Sequence, residues 1–439
     1  MILAAKALRW SQSAICGQNG RGWRALTMNS IQRKFADLAT ENAPGQEVRL
    51  KSASSESALH GGVIDGRPVD FSHGDVNAFR PAPGALDAFL DGYRRGGSQA
   101  YTEYLGDAVV RDVVAERLGA FTGAPLTAAE DLIVTPGTQG ALFLAMGATV
   151  TSGTKVAVVE PDYFANRKLV RFFDGVLVPV DLDYLGTTRR AGLNLDQLEA
   201  AFRGGAQVLV LSNPNNPTGV IYSEAEIDAI AQLADKFGAT VIVDQLYSRL
   251  LYEGHAYTHL RARSAARENL ITIMGPSKTE SLSGFRLGVA FGSSAIVERM
   301  AKLQAIVSLR AAGYSQSVLN IWLAEPDGWM RDRIQQHQAI RDDLVGILSR
   351  VDGLALRTPE AGSYLFPRLP ELTISSIDFV RALRHQAGVT VTPGAEFGPR
   401  SFESIRFNYS QDHEAAVAAV ERTAALIDRY RVQRVARRA

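Results

Sequence analysis

Between about residue 130 and residue 295 the chain repeats one pattern: a short apolar run rich in Val and Ile, a polar turn, then a stretch of helical period. The runs are Leu132–Val134, Val156–Val159, Val176–Val180, Val208–Leu211, Val241–Val243 and Leu270–Ile273. A continuous apolar run does not alternate between a wet and a dry face, so each predicts a strand buried on both sides. Strands buried on both sides need helices over both faces, and intervening helices carry the chain back to start the next parallel strand. Glu224 to Phe237 is the clearest such helix, with Ser223 placed to cap it. The pattern predicts an α/β fold with a mostly parallel sheet.

The rest of the chain reads differently. A long helical pattern covers roughly 315–350, followed by Leu354–Arg357, Tyr364–Pro367 and Ile405–Asn408 with helices between them. This predicts a smaller α+β unit. Residues of about 30–80 are too few to stand alone and are expected to complete it, with a boundary at Pro81-Ala82-Pro83-Gly84. The division that follows is an extension over 1–27, an N-terminal segment of the small domain over 28–80, a large domain over 81–320 and a C-terminal small domain over 321–439.

Composition narrows the partners. At 439 residues the chain has room for two domains, and 46% apolar with 21% charged residues is ordinary for a folded chain. A net charge of +1 suggests no nucleic acid or other polyanion, and the basic tail from Arg429 to Arg438 reads as a solvated helix end. One cysteine, Cys16, cannot build a disulfide framework and fits a reducing compartment. His255 and His259 flank Tyr257 with no acidic ligand between them, which reads as a turn, so no metal site is expected. No apolar run approaches a membrane span. Residues 1–27 hold Lys6, Arg9, Arg21 and Arg24 and no acidic residue. They read as an extension before a start at Met28, with an organellar targeting segment as the alternative. The expected location is cytoplasmic.

In open α/β sheets, ligands collect beyond the carboxyl ends of the strands. Polar residues directly after the runs are therefore candidates as a group. Thr135-Pro136-Gly137-Thr138-Gln139-Gly140 opens a helix, and free N–H groups at a helix start suit a phosphate. Asp244 ends a strand run and could hold a protonated ring nitrogen, which makes the ring an electron sink. Tyr247 and Asn216 could donate to a phenolate oxygen. Lys278 follows the last run, with Arg286 eight residues on as an anion partner. Together these residues could hold a phosphorylated aromatic aldehyde and form a Schiff base with it.

The set resembles the class I/II aminotransferases of the fold type I pyridoxal-phosphate enzymes, over about residues 45–430. The resemblance implies the aspartate-aminotransferase-like fold and pyridoxal 5'-phosphate bound through Lys278 in Ser277-Lys278-Thr279. It implies Arg286 and the turn residues Thr138 and Gln139 on the phosphate, with Ser277 beside them. Asn216 in Asn213-Pro214-Asn215-Asn216-Pro217-Thr218-Gly219 would contact the ring 3-oxygen, as would Tyr247, and Asp244 the ring nitrogen. Tyr163 in Glu160-Pro161-Asp162-Tyr163 would stack on the ring. Tyr101, with Gly106 in the Tyr-x4-Gly motif, would cross to the phosphate of the second subunit of a homodimer. Arg406, after Pro393-Gly394-Ala395-Glu396-Phe397-Gly398, would grip the substrate α-carboxylate, with Gly74 and Asn216 also at the substrate. Two positions depart from the pattern. Gly275 stands where a phosphate-binding serine is frequent, and Ala361-Gly362-Ser363-Tyr364-Leu365-Phe366 replaces an aromatic-rich motif.

The resemblance implies transfer of an amino group between an amino acid and a 2-oxo acid. A β-lyase or cyclising enzyme on the same fold is the alternative, because the cofactor does the chemistry and the pocket selects the bond. A non-catalytic sensor domain fused to a DNA-binding motif is a third reading, but residues 1–75 carry no helix-turn-helix pattern. Arg310, in Leu309-Arg310-Ala311-Ala312-Gly313-Tyr314, lies near the place where dicarboxylate-specific relatives bring an arginine from the partner subunit. Its flanks do not match theirs, so it reads as an exposed arginine at a helix end, and a neutral or aromatic donor is expected to outperform aspartate.

Overall fold

The computed structural model describes residues 30–38, 59–187, 189–263 and 268–432. The readings of 1–27, of Cys16 and of most of the basic tail fall outside the described residues. Residues 1–37 and 38–439 form two units. Of the first, the helix Ser30–Leu38 is described, with Ile31 and Phe35 exposed on it.

In the second unit the strands run, in chain order, β1 (Val69–Asp70), β2 (Leu132–Pro136), β3 (Lys155–Glu160), β4 (Val176–Asp181), β5 (Ala206–Ser212) and β6 (Thr240–Asp244). They continue as β7 (Leu270–Met274), β8 (Leu287–Gly292), β9 (Tyr364–Leu365), β10 (Val389–Thr390), β11 (Thr392–Pro393) and β12 (Ile405–Asn408). All six predicted runs are strands of one seven-stranded sheet, in the order β2-β8-β7-β6-β5-β3-β4. Every pairing from β7 to β4 is parallel, and β8 lies antiparallel between β2 and β7. The fold is thus α/β with a mostly parallel sheet.

Successive residues of the central strands enter different cores. Leu209, Leu211, Val241 and Val243 pack on one face with Leu198, Ile227 and Ile230 from the covering helices. Val208, Val210, Ile242 and Ile271 pack on the other with Leu142 and Met146. Each such side chain contributes about 1.5–3 kcal/mol by leaving water, and the one polar residue in the six runs, Thr272, is itself fully buried. Ser223 caps the helix Glu224–Phe237 in a full capping box with Glu226. Glu226 is itself buried, and its carboxylate accepts the Ala191, Gly192 and Leu193 N–H groups.

A further core gathers Phe71, Leu344, Phe379, Val389, Ile405, Phe407 and Val420. Val69 and Asp70 pair in parallel with Val389 and Thr390, so the segment near residue 70 joins this layer. Two details differ from the sequence reading. The long helix begins at Trp329 and runs to Leu348. Ahead of it, the short helices Gly313–Gln316 and Ser317–Ile321 stop before Leu323, whose φ is 62°, and Pro326 and Gly328 keep the segments apart. Leu354–Arg357 forms only one bridge, from Ala355 to Arg368. Among the described residues no helix is long and apolar enough to cross a membrane.

Candidate active site

The carboxyl ends of β2, β5, β6 and β7 open on one cavity of about 400 Å³. Thr138 and Gln139 line it from the start of the helix Gly137–Thr149. Tyr163 lines it from the turn after β3, Asn216 from the turn after β5, and Asp244 and Tyr247 from the end of β6. Ser277 and Lys278 enter from the turn after β7, Arg286 from the residue before β8, and Arg406 from β12. Thr138 and Arg406, 268 residues apart in sequence, line this one cavity, the first at a helix start after β2 and the second from within β12. Gly74 lines an adjoining cavity of about 580 Å³ that shares Tyr247, Ser277 and Lys278. Tyr101 lines neither; it is 81% exposed.

The phosphate end is built by backbone conformation. Arg286 adopts a left-handed φ of 54°, which costs a non-glycine residue on the order of 1 kcal/mol or more and aims its side chain back at the helix start. A Cβ on Gly137, whose φ is 77°, would stand 2.6 Å from Arg286 Nη2. A Cβ on Gly288 would stand 2.4 Å from Thr138 N. Free helical N–H groups and a guanidinium at this spot suit a phosphate dianion. Gly275 also finds its reason, since a Cβ there would press on Thr138 Cγ2 at 2.9 Å and Gly288 Cα at 3.2 Å. A Gly137→Ala variant is expected to bind pyridoxal phosphate about tenfold more weakly, through strain and the displaced guanidinium. Titration of the cofactor-free protein by absorbance checks this.

At the other end, Arg406 is buried between the rings of Tyr364 and Phe397, with its guanidinium carbon 4.3 and 4.8 Å from their centroids. It donates to Asn216 Oδ1 (3.0 Å) and to the Ser72 carbonyl (3.1 Å). Arg406 Nε and Ser72 Oγ, both buried, have no protein partner. Buried donors of this kind call for an acceptor, and a substrate carboxylate supplies one. Tyr247 and Tyr364 share a hydrogen bond of 2.5 Å between their hydroxyls, and Tyr163 donates to Gln139 Oε1 at 2.9 Å.

Burial raises the Asp244 carboxyl to about 6, against the Leu246 N–H and Lys278, which pull it down. A cationic ring nitrogen placed there would favour the charged form further. Among the described residues no cluster of metal-ligating side chains occurs. His259 is partly buried rather than in an open turn, with Nδ1 3.2 Å from Gln245 Oε1 and the Phe121 and Tyr257 rings beside it, and burial lowers it to about 4. The sequence reading passed over Ser72, Asp162, Ser212 and Tyr364 as site residues. Only Asp162 carried a usable signal, as a charged residue next to Tyr163 directly after a buried strand.

A lysine, an aspartate and an arginine at the carboxyl edge of such a sheet, with a phosphate cradle beside them, define the fold type I class. The chain has 61% identity to the crystal structure of an aspartate aminotransferase from Rhodobacter sphaeroides, with a TM-score of 0.88, covering 92% of this chain and 100% of that one. It is 30% identical over 387 residues to a probable aspartate/prephenate aminotransferase of Thermus aquaticus, which covers 86% of this chain and 98% of the relative. It is 26% identical over 418 residues to an aspartate aminotransferase of Rhizobium meliloti, covering 92% and 100%. Residues 68–422 match the family described as aminotransferase class I and II, and the chain belongs to that family. It is an aminotransferase, and the family implies pyridoxal phosphate as its cofactor.

Proposed function

We propose that this chain moves an amino group from aspartate to a 2-oxo acid, using pyridoxal phosphate held through Lys278. The convergence of Lys278, Asp244, Asn216, Arg286 and Arg406 on one cavity carries the reading. The bound cofactor would supply an aldehyde for the amino group and a ring that accepts electrons. Arg286, Thr138 and Gln139 would hold the phosphate, Tyr163 would cover the ring, and the Asp244 carboxylate would accept a hydrogen bond from the ring nitrogen. Arg406 orients the substrate by its α-carboxylate, which sets the Cα–H bond toward Lys278. Lys278 Nζ takes the Cα proton as general base. Burial of Tyr247, Asn216 and Arg406 keeps water from the reacting carbon.

Two observations favour aspartate over the neutral or aromatic donor that the sequence suggested. The 61%-identical structure bears the name aspartate aminotransferase. Arg310 is no isolated surface arginine: its guanidinium lies over the rings of Tyr101 and Tyr104, at 5.3 and 5.6 Å. Tyr101 is the residue that the family resemblance sends to a partner's phosphate, so a cation stacked on it would travel to the same pocket and meet a side-chain carboxylate there. Arg310→Ala is expected to lower kcat/KM for aspartate by about 10²-fold, the worth of one charge-assisted pair, while leaving alanine or phenylalanine within about twofold. Steady-state comparison of donors tests this. Equal losses for all donors, or no loss for aspartate, contradict the assignment. The shared site also calls for a homodimer, which the molecular mass in solution checks.

A further inference from the structure

Asp162 is 2% exposed and sits directly behind Tyr163. Among the described residues it forms no ion pair; it accepts five hydrogen bonds instead. Oδ1 takes Tyr163 N–H (2.6 Å), Ser212 Oγ–H (2.7 Å) and Asn166 Nδ2–H (3.1 Å). Oδ2 takes Ser212 N–H (2.9 Å) and Asn215 Nδ2–H (3.2 Å). Five donors aimed at two oxygens suit a carboxylate and leave no place for a carboxyl proton. Burial pushes the group up to about 7, with the bonds from Ser212 and Tyr163 opposing and the Asp244 charge adding to the rise. A buried anion with no counter-ion is costly, so its retention calls for a reason.

The partners supply one. Ser212 Oγ, whose hydroxyl donates to Asp162 Oδ1, accepts the backbone N–H of Asn216 at 2.9 Å. Asn216 Oδ1 in turn receives Arg406 Nη1. On the other side, Asp162 N–H donates to the Phe397 carbonyl at 3.1 Å, and the Phe397 ring lies under the Arg406 guanidinium. One carboxylate thus ties the turn after β3 to the turn after β5 and, through each, to Arg406.

We propose that Asp162 is a positioning residue that fixes Tyr163, Asn216 and Arg406 in a single frame around the cofactor ring and the substrate carboxylate. This rests on the cofactor assignment above. Asp162→Asn keeps the shape but turns one acceptor into a donor facing donors. Ser212→Ala removes the hydroxyl that bridges Asp162 Oδ1 to the Asn216 N–H while keeping the Ser212 N–H bond to Asp162 Oδ2, and serves alone if the first variant does not fold. Both full-length proteins are compared with the parent in three ways: pyridoxal phosphate dissociation constant, pH titration of the bound cofactor's absorbance, and KM against kcat for the donor. Thermal midpoints of the cofactor-free forms are taken in parallel.

For Asp162→Asn, cofactor affinity is expected to weaken at least about tenfold, with a displaced absorbance titration and a raised donor KM. Ser212→Ala should show the same changes at about threefold. Midpoints that fall while affinity, titration and KM stay at parental values mean a merely structural role and overturn the proposal. So do variants unchanged in every readout. A parent protein that takes up no pyridoxal phosphate overturns the cofactor reading itself, and this one with it.

Discussion

Replacing Lys278 by alanine is expected to lower kcat by at least about 10⁴-fold, the upper range for losing a positioned general base, with a further loss from the missing covalent link. The fold should survive. Lys278 sits at the rim of the cavity, in the turn after β7, and the strands on either side of it are held by fully buried residues. Arg286, Thr138 and Gln139 still present their phosphate cradle, so pyridoxal phosphate should bind, but reversibly and without being fixed by borohydride. In the parent, borohydride treatment and peptide mapping should place the label on Lys278. A label on another lysine, or a variant with near-parental turnover, contradicts the role given to it.

Asp244→Asn carries the second large effect, and its sign differs between activity and stability. Without the negative charge the ring nitrogen loses its proton, and kcat is expected to fall about 10³-fold, as when a main electrostatic stabiliser is removed. The cofactor-free protein should gain stability. The Asp244 carboxyl is raised to about 6, whereas an unfolded aspartate ionises near 4. Below that lower value both states are protonated and nothing is lost. As pH rises through the folded value the unfolded chain gives up its proton more readily, and stability is lost. A shift of about two units corresponds to roughly 2–3 kcal/mol. The cofactor-free variant should therefore melt above its parent at pH 8 and level with it at pH 4. Near-normal turnover, or a stability difference that does not grow with pH, removes Asp244 from the ring-nitrogen role.

Strands buried on both faces were legible because burial leaves an unbroken apolar signature, as in Val208–Leu211 and Val241–Val243. The polar residues that follow them were legible as a group for the same geometric reason. β8 was not. Its sequence, Leu-Gly-Val-Ala-Phe-Gly, is diluted by glycines, and Gly288 is there for the close approach of the Gly137–Thr138 backbone rather than for strand propensity. The start of the long helix at Trp329 was hidden because two short helical segments, Gly313–Gln316 and the 3-10 turn Ser317–Ile321, lie ahead of it. Asp162 could not be ranked, because its partners Ser212 and Asn215 lie about 50 residues away and become neighbours only when β3 and β5 pair. The stacking of Arg310 on Tyr101 is equally non-local, with 209 residues between them in sequence number. Single-sequence reading finds residues that are special by local context and misses those made special by a distant partner.

The central claim is amino-group transfer rather than elimination on the same scaffold. It is tested most directly in a single turnover, with cofactor-loaded enzyme, excess aspartate and no 2-oxo acid. The products are then resolved by chromatography. The account predicts one equivalent of pyridoxamine phosphate and one of oxaloacetate per site, with no free ammonia. No pyridoxamine phosphate from aspartate, together with ammonia and pyruvate released over many turnovers from a donor that carries a β leaving group, such as cysteine, would contradict it and mark the enzyme as a lyase.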